Sequence, residues 1–147
     1  MCSDYFFDSL SEDIFYDIIF IDGLHFKDQV LKDVNNSLKH LSVDGVIVVH
    51  DCNPIKEEHA LETYRKTDRV WNGTVWEAWV ELRMTRADLS MYVIDIDHGC
   101  GIICRGTQKL FPMEPIKFSL LENKRKEILN LISIGEFEDI CKKMWQR

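Results

Sequence analysis

Asp22, His25, His50 and Asp51 are the residues whose types and spacing can do chemistry together, with Asn53 close behind. Histidine titrates near neutral pH, so His50 or His25 can take a proton as a general base. Asp22, Asp51 and Asn53 offer hard oxygen ligands of the kind that suit Mg²⁺. Plainer roles stand beside these. Asp22-Gly23 also reads as a strand-to-helix turn, and a histidine hydrogen-bonded within a core is common.

The elements that must position these residues lie in Tyr16 to Asp51. Ile18-Ile19-Phe20-Ile21 precedes Asp22, and Val46-Ile47-Val48-Val49 precedes His50-Asp51. Each run is apolar and nearly continuous, the pattern of a strand buried on both faces in a parallel sheet. Between them Phe26, Val30, Leu31, Val34, Leu38 and Leu41 recur at helical spacing. Strand, helix and strand make one βαβ unit with a right-handed crossover. Ligands of open α/β sheets bind beyond the carboxyl ends of the strands. Parallel neighbours lie about 4.8 Å apart, so the four residues can face one crevice.

The length of 147 residues predicts one domain, and 46% hydrophobic content is enough for a core. A net charge of -7 argues against a nucleic-acid surface. Acids gather early, from Asp4 to Asp22, ahead of the first base, Lys27. The late bases, Lys124-Arg125-Lys126 and Lys142-Lys143, read as solvated helix faces. Five cysteines without a CxxC pair predict reduced thiols and a cytoplasmic protein. No secretory leader is read at the start, and no apolar run is long enough to span a membrane.

The rest of the chain surrounds the βαβ unit. Ser3 to Leu10 predicts a short helix capped by Ser3 or Asp4, and Ser42 to Gly45 a turn into the second strand. Lys56 to Asp68 is a polar surface helix or loop, and Val70-Trp71-Asn72-Gly73 breaks it. Thr74 and Glu77 resemble a capping box for a helix running to about Arg86. The tryptophans on that helix read as core packing ahead of a ligand stack. Met91 to Ile96 and Gly101 to Arg105 form a hairpin. One helix carries Leu120 to Ile132, and another carries Phe137, Ile140, Cys141, Met144 and Trp145. His40, His59 and His98 are expected at the surface, and Cys52 is assigned no chemistry.

FIDGLH at 20–25, VDGVIVVHDCNP at 43–54 and WNGTVWEAW at 71–79 resemble class I S-adenosylmethionine-dependent methyltransferases. The similar branch acts on small molecules and carries IDGxH and HDxxP motifs. The tail ENKRKEILNLIS fits the same branch. The resemblance implies an incomplete Rossmann-like α/β fold of about four strands, a parallel pair plus an antiparallel hairpin with flanking helices. It implies one truncated domain over 1–147, with a C-terminal helical pair at about 117–146. No Gly-rich strand-turn-helix appears, so the cofactor site is expected to depend on a partner or a second copy. Within the resemblance, His50, Asp51 and His25 are catalytic, and Asp22 and Gly23 contact S-adenosylmethionine. It permits Mg²⁺ at Asp22, Asp51 and Asn53. A small-molecule acceptor and a homodimer formed through the first strand, near Ile18, Phe20, Tyr5 and Phe6, are the expected partners. The rival expectation is a non-catalytic remnant acting as a binding or assembly module.

Overall fold

The parallel pair forms as the apolar runs require. In the computed structural model, which describes residues 2–66 and 69–145, β1 (Tyr16–Ile21) and β2 (Leu41–Val49) flank α2 (Lys27–Lys39). Ile18 pairs with Val46 and Ile21 with Val49. Downstream come α3 (Val75–Thr85), β3 (Leu89–Ile94) and β4 (Cys100–Arg105). The chain then runs through α4 (Phe118–Leu129), β5 (Leu131–Ile132) and α5 (Ile134–Trp145). A short helix, α1 (Ser3–Asp8), precedes β1. The sheet order is β1-β2-β4-β3-β5, with β1∥β2 and β3∥β5 parallel and the pairs through β4 antiparallel. This is a mixed, Rossmann-like α/β sheet with flanking helices. Asp68 lies outside the described residues, as do the side chains of Met144 and Trp145.

Several local expectations are corrected. The helix expected through Ile132 stops at Leu129, because Asn130 takes a left-handed conformation (φ 49°) and caps it. Asn130 Nδ2 also donates to Met91 O at 2.8 Å, steering Leu131 and Ile132 alongside Val93 and Ile94 as a fifth strand. The turn expected at Ser42 to Gly45 lies inside β2. Two steps on β1 (16 to 18) match five on β2 (41 to 46), so those residues form a bulge. Thr74 makes no side-chain cap to α3. Its Oγ1 accepts the backbone N–H of Lys27 at 2.8 Å and closes the first turn of α2. Neither Ser3 nor Asp4 caps α1, whose N-cap is Cys2; both accept hydrogen bonds from Gln29 Nε2. Lys56 to Asp68 holds only a single 3₁₀ turn, Glu57–Ala60, among its described residues.

The main core lies on one face of the sheet, under α2, α3 and α4. Val34, Ile47, Val80 and Ile103 are fully buried there. Trp76 and Trp79 belong to it, as expected of core tryptophans. On the other face α5 covers Tyr92, Ile94 and Ile102 through Phe137 and Ile140. That cover does not reach β1. Ile18 is 70% exposed and Phe20 61%, so the strand read as buried on both faces is covered on one. The reason is its place at the end of the sheet.

His40 is buried rather than at the surface. Its Nδ1 faces Ile14 O at 2.9 Å and its ring stacks on Phe7. His59 and His98 are half-buried, with ring centroids 6.5 Å apart. All five cysteines are free thiols. Burial pushes the Cys52 thiol well up, in keeping with an unreactive residue. Among the described residues no helix is long and apolar enough to cross a membrane.

Candidate functional site

The register of β1 on β2 brings the two strand ends together. Ile21 faces Val49, and the His50 N–H donates to Ile21 O at 3.0 Å. Asp22 leaves β1 and His50-Asp51 leaves β2 on the same side of the sheet. His25 joins them from the turn before α2. Its Nε2 lies 3.4 Å from Asp22 Oδ1 and its Nδ1 3.2 Å from Asp51 Oδ2. His50 Nδ1 lies 3.5 Å from Asp22 Oδ1 and 3.6 Å from Asp51 Oδ1. The four residues expected to share a crevice do share it.

The histidines are held differently. His25 Nδ1 faces two acceptors, Asp51 Oδ2 and Trp71 O, both at 3.2 Å, so it carries a proton. Its ring stacks on Trp71 at 5.1 Å and 17°. With Nδ1 protonated, Nε2 meets Asp22 either as a second N–H or as a lone pair.

His50 has carboxylates at both nitrogens, because Asp97 Oδ2 lies 3.3 Å from Nε2. Burial is the largest single influence and opposes its charge. Asp51, Asp22 and Asp97 together outweigh it and raise the pKa above the ordinary 6.5. By sequence Asp97 is only part of a hairpin turn, and nothing in its local pattern marks it.

Asp51 is a buried carboxylate on a strained backbone. Its φ of 65° is left-handed, sparsely occupied by residues other than glycine. The turn between β3 and β4 clamps the next two residues: Cys52 N donates to Gly99 O at 3.0 Å and Asn53 N to His98 O at 2.7 Å. That kink explains why Asn53 is not with the acids. In an extended chain, residues 51 and 53 would share a face. The left-handed step at Asp51 sends Asn53 under α4. There its Oδ1 accepts from Arg125 Nη1 at 2.5 Å and its Nδ2 donates to Asp95 at 3.2 Å. The amide that reaches Asp51 is Asn72, whose Nδ2 donates to Oδ1 at 2.5 Å. By sequence Asn72 is only a helix breaker.

Asp22, His25 and Asp51 present ligand atoms all within 4.8 Å of one another. Two carboxylates and an imidazole make a donor set that fits a divalent cation, with His25 standing where Asn53 was expected. Gly23 borders open space; a Cβ there meets nothing within 4 Å among the described residues. Gly23 and Leu24 line a cavity of about 580 Å³ with Phe6 and Gln29, beside Asp22.

Residues 2–52 match the family model of a methyltransferase domain. That segment runs from α1 through β2 and contains all four crevice residues. The match supports a methyltransferase relationship for this part of the chain. A curated relative, the uncharacterized protein y4gI of Sinorhizobium fredii (strain NBRC 101917 / NGR234), is 27% identical over 114 residues. The similarity covers 78% of this chain and 11% of that protein, so the chain spans about a tenth of the relative's length.

Proposed function

We propose that this domain serves S-adenosylmethionine-dependent methyl transfer to a hydroxyl group of a small acceptor. The observation that carries the reading is the convergence of Asp22, His25, His50 and Asp51 at the ends of two parallel strands, within the segment matched by a methyltransferase domain. S-adenosylmethionine, when bound, supplies the electrophilic methyl group. His50 takes the acceptor's proton, and the carboxylates around it stabilise the imidazolium that results. Asp51 holds His25 and His50 in orientation. His25 is the alternative base, with its ring fixed against Trp71. Gly23, in the cavity beside the crevice, and Asp22, at its edge, would contact the cofactor. Asp22 and Asp51, with His25, would hold Mg²⁺ or a similar ion, whose charge would lower the pKa of the acceptor hydroxyl.

The cofactor site is completed by a partner or a second copy. β1 ends the sheet and carries the exposed Ile18 and Phe20, which supports a homodimer through this edge with Tyr5 and Phe6 near the interface. Light scattering at micromolar concentration tests the dimer, and a monomer of 17.3 kDa refutes it. The same exposed strand favours a second reading, a non-catalytic binding or assembly module. Five free thiols favour a reducing compartment such as the cytoplasm.

Calorimetric titration with S-adenosylmethionine and S-adenosylhomocysteine, with and without Mg²⁺, separates the readings. Methyl transfer predicts binding weaker than about 1 μM for the isolated chain, strengthened when the partner is present. No heat with either ligand at millimolar concentration, in any oligomeric state, supports the module instead.

A further inference from the structure

We infer that Asn72 is a positioning residue for Asp51, and that Trp71-Asn72-Gly73-Thr74 is the scaffold that sets the two strand-end turns against each other. As a part in catalysis this rests on the methyl-transfer reading; as geometry it stands apart from it.

Asn72 is fully buried, yet its amide is only half satisfied. Nδ2 donates to Asp51 Oδ1, and its own Oδ1 is buried without a partner among the described residues. An unmet buried polar atom is destabilising, so packing alone would favour an apolar side chain here. The side-chain bond this amide makes goes to the carboxylate with the left-handed backbone. A neutral amide N–H can donate to a carboxylate oxygen without transferring its proton or adding a charge. Asn72 thereby assigns the two oxygens of Asp51. Oδ1 faces the amide, and Oδ2 is left to face His25 Nδ1 at 3.2 Å.

Its neighbours act on His25. Trp71 supplies both a stacking ring and the carbonyl 3.2 Å from Nδ1. Gly73 has φ 61°, and a Cβ there would collide with His25 O, so only glycine lets the segment approach. Thr74 N donates to that same carbonyl at 2.9 Å. The N–H groups of Asn72 and Gly73 are anchored on His59 O at 2.9 and 3.1 Å. His25 and Asp51 thus owe their relative placement to one four-residue segment lying outside both turns.

The test is nitrogen-15 NMR of the intact chain at one neutral pH. In the wild type, one Asn72 side-chain amide proton should be deshielded and protected from exchange. In Asn72→Ala, the His25 Nδ1–H should exchange about tenfold faster or more, the scale set by losing a hydrogen bond to a charged group. Asn36→Ala, at a surface amide that contacts Lys39, should leave it unchanged. A folded Asn72→Ala protein with the wild-type His25 signal overturns the inference. If that variant does not fold, the wild-type spectrum decides: an Asn72 amide exchanging at the rate of a free side chain overturns it equally. Titrating S-adenosylhomocysteine into the same wild-type sample reads the methyl-transfer proposal separately, since its failure to bind moves neither signal.

Discussion

After β1 the chain passes through Asp22, Gly23 and Leu24 with little around it. The Asp22 side chain is 41% exposed, Leu24 is 52% exposed, and a Cβ on Gly23 would touch nothing among the described residues. After β2 it passes through Asp51, Cys52 and Asn53, all buried and tied to the β3–β4 turn, to α4 and to Asn72. Both turns follow strands of the same parallel pair and both carry an acid. They differ in what packs over them. β2 has neighbours on both sides, whereas β1 ends the sheet. One wall of the crevice is therefore held by its neighbours, and the other is open.

Substitutions on both walls probe that contrast. The largest effect is expected on chemistry. His50→Ala and Asp51→Asn should each lower any transferase activity by about 10²-fold or more, the usual contribution of a general base and its support. Circular dichroism should show the fold retained, and normal turnover in both would remove these residues from the site.

On stability, Gly99→Ala strikes the closed wall. Gly99 has φ 91°, and its Cβ would collide with Asn53 Cβ. A loss of about 3 kcal/mol is expected from strain and overlap, or roughly 10 °C in Tm by thermal unfolding. A wild-type melting curve would mean that the clamp on residues 51–53 is slack.

The third probe is pH. His50 has its pKa raised above 6.5: burial opposes its charge, and Asp51, Asp22 and Asp97 overcome it. A raised folded-state pKa means that protonated His50 stabilises the fold fully below pH 6.5. That contribution is lost as pH rises through the folded midpoint, while the neutral base becomes available over the same rise. Asp97→Asn removes one raising carboxylate from an exposed position, so the His50 midpoint read from its ring protons should fall. An unmoved midpoint would detach Asp97 from the site.

The smallest effect belongs to the open wall. Gly23→Ala should change stability by less than about 0.5 kcal/mol, because the new methyl meets no atom. A large loss would show that this turn is as confined as its neighbour, and the contrast would fail.

The residue types along the chain determined by themselves the parallel pair, the helix between them, the hairpin and the meeting of Asp22, His25, His50 and Asp51. These features come from short apolar runs, from helical spacing and from the rule that ligands of open sheets sit beyond the strand ends, so local pattern carries them. The tertiary structure alone decided which amide serves Asp51. Asn53, two residues away, is turned aside by a left-handed step; Asn72, 21 residues away, is brought in by the segment after the 3₁₀ turn. It alone supplied Asp97, 47 residues from His50, buried His40 against Ile14 O and Phe7, and lent Thr74 to the start of α2. Such contacts depend on where separate elements come to rest on one core. No spacing records that, because the free energy that sets it is summed over the whole packed sheet rather than over any one stretch of chain.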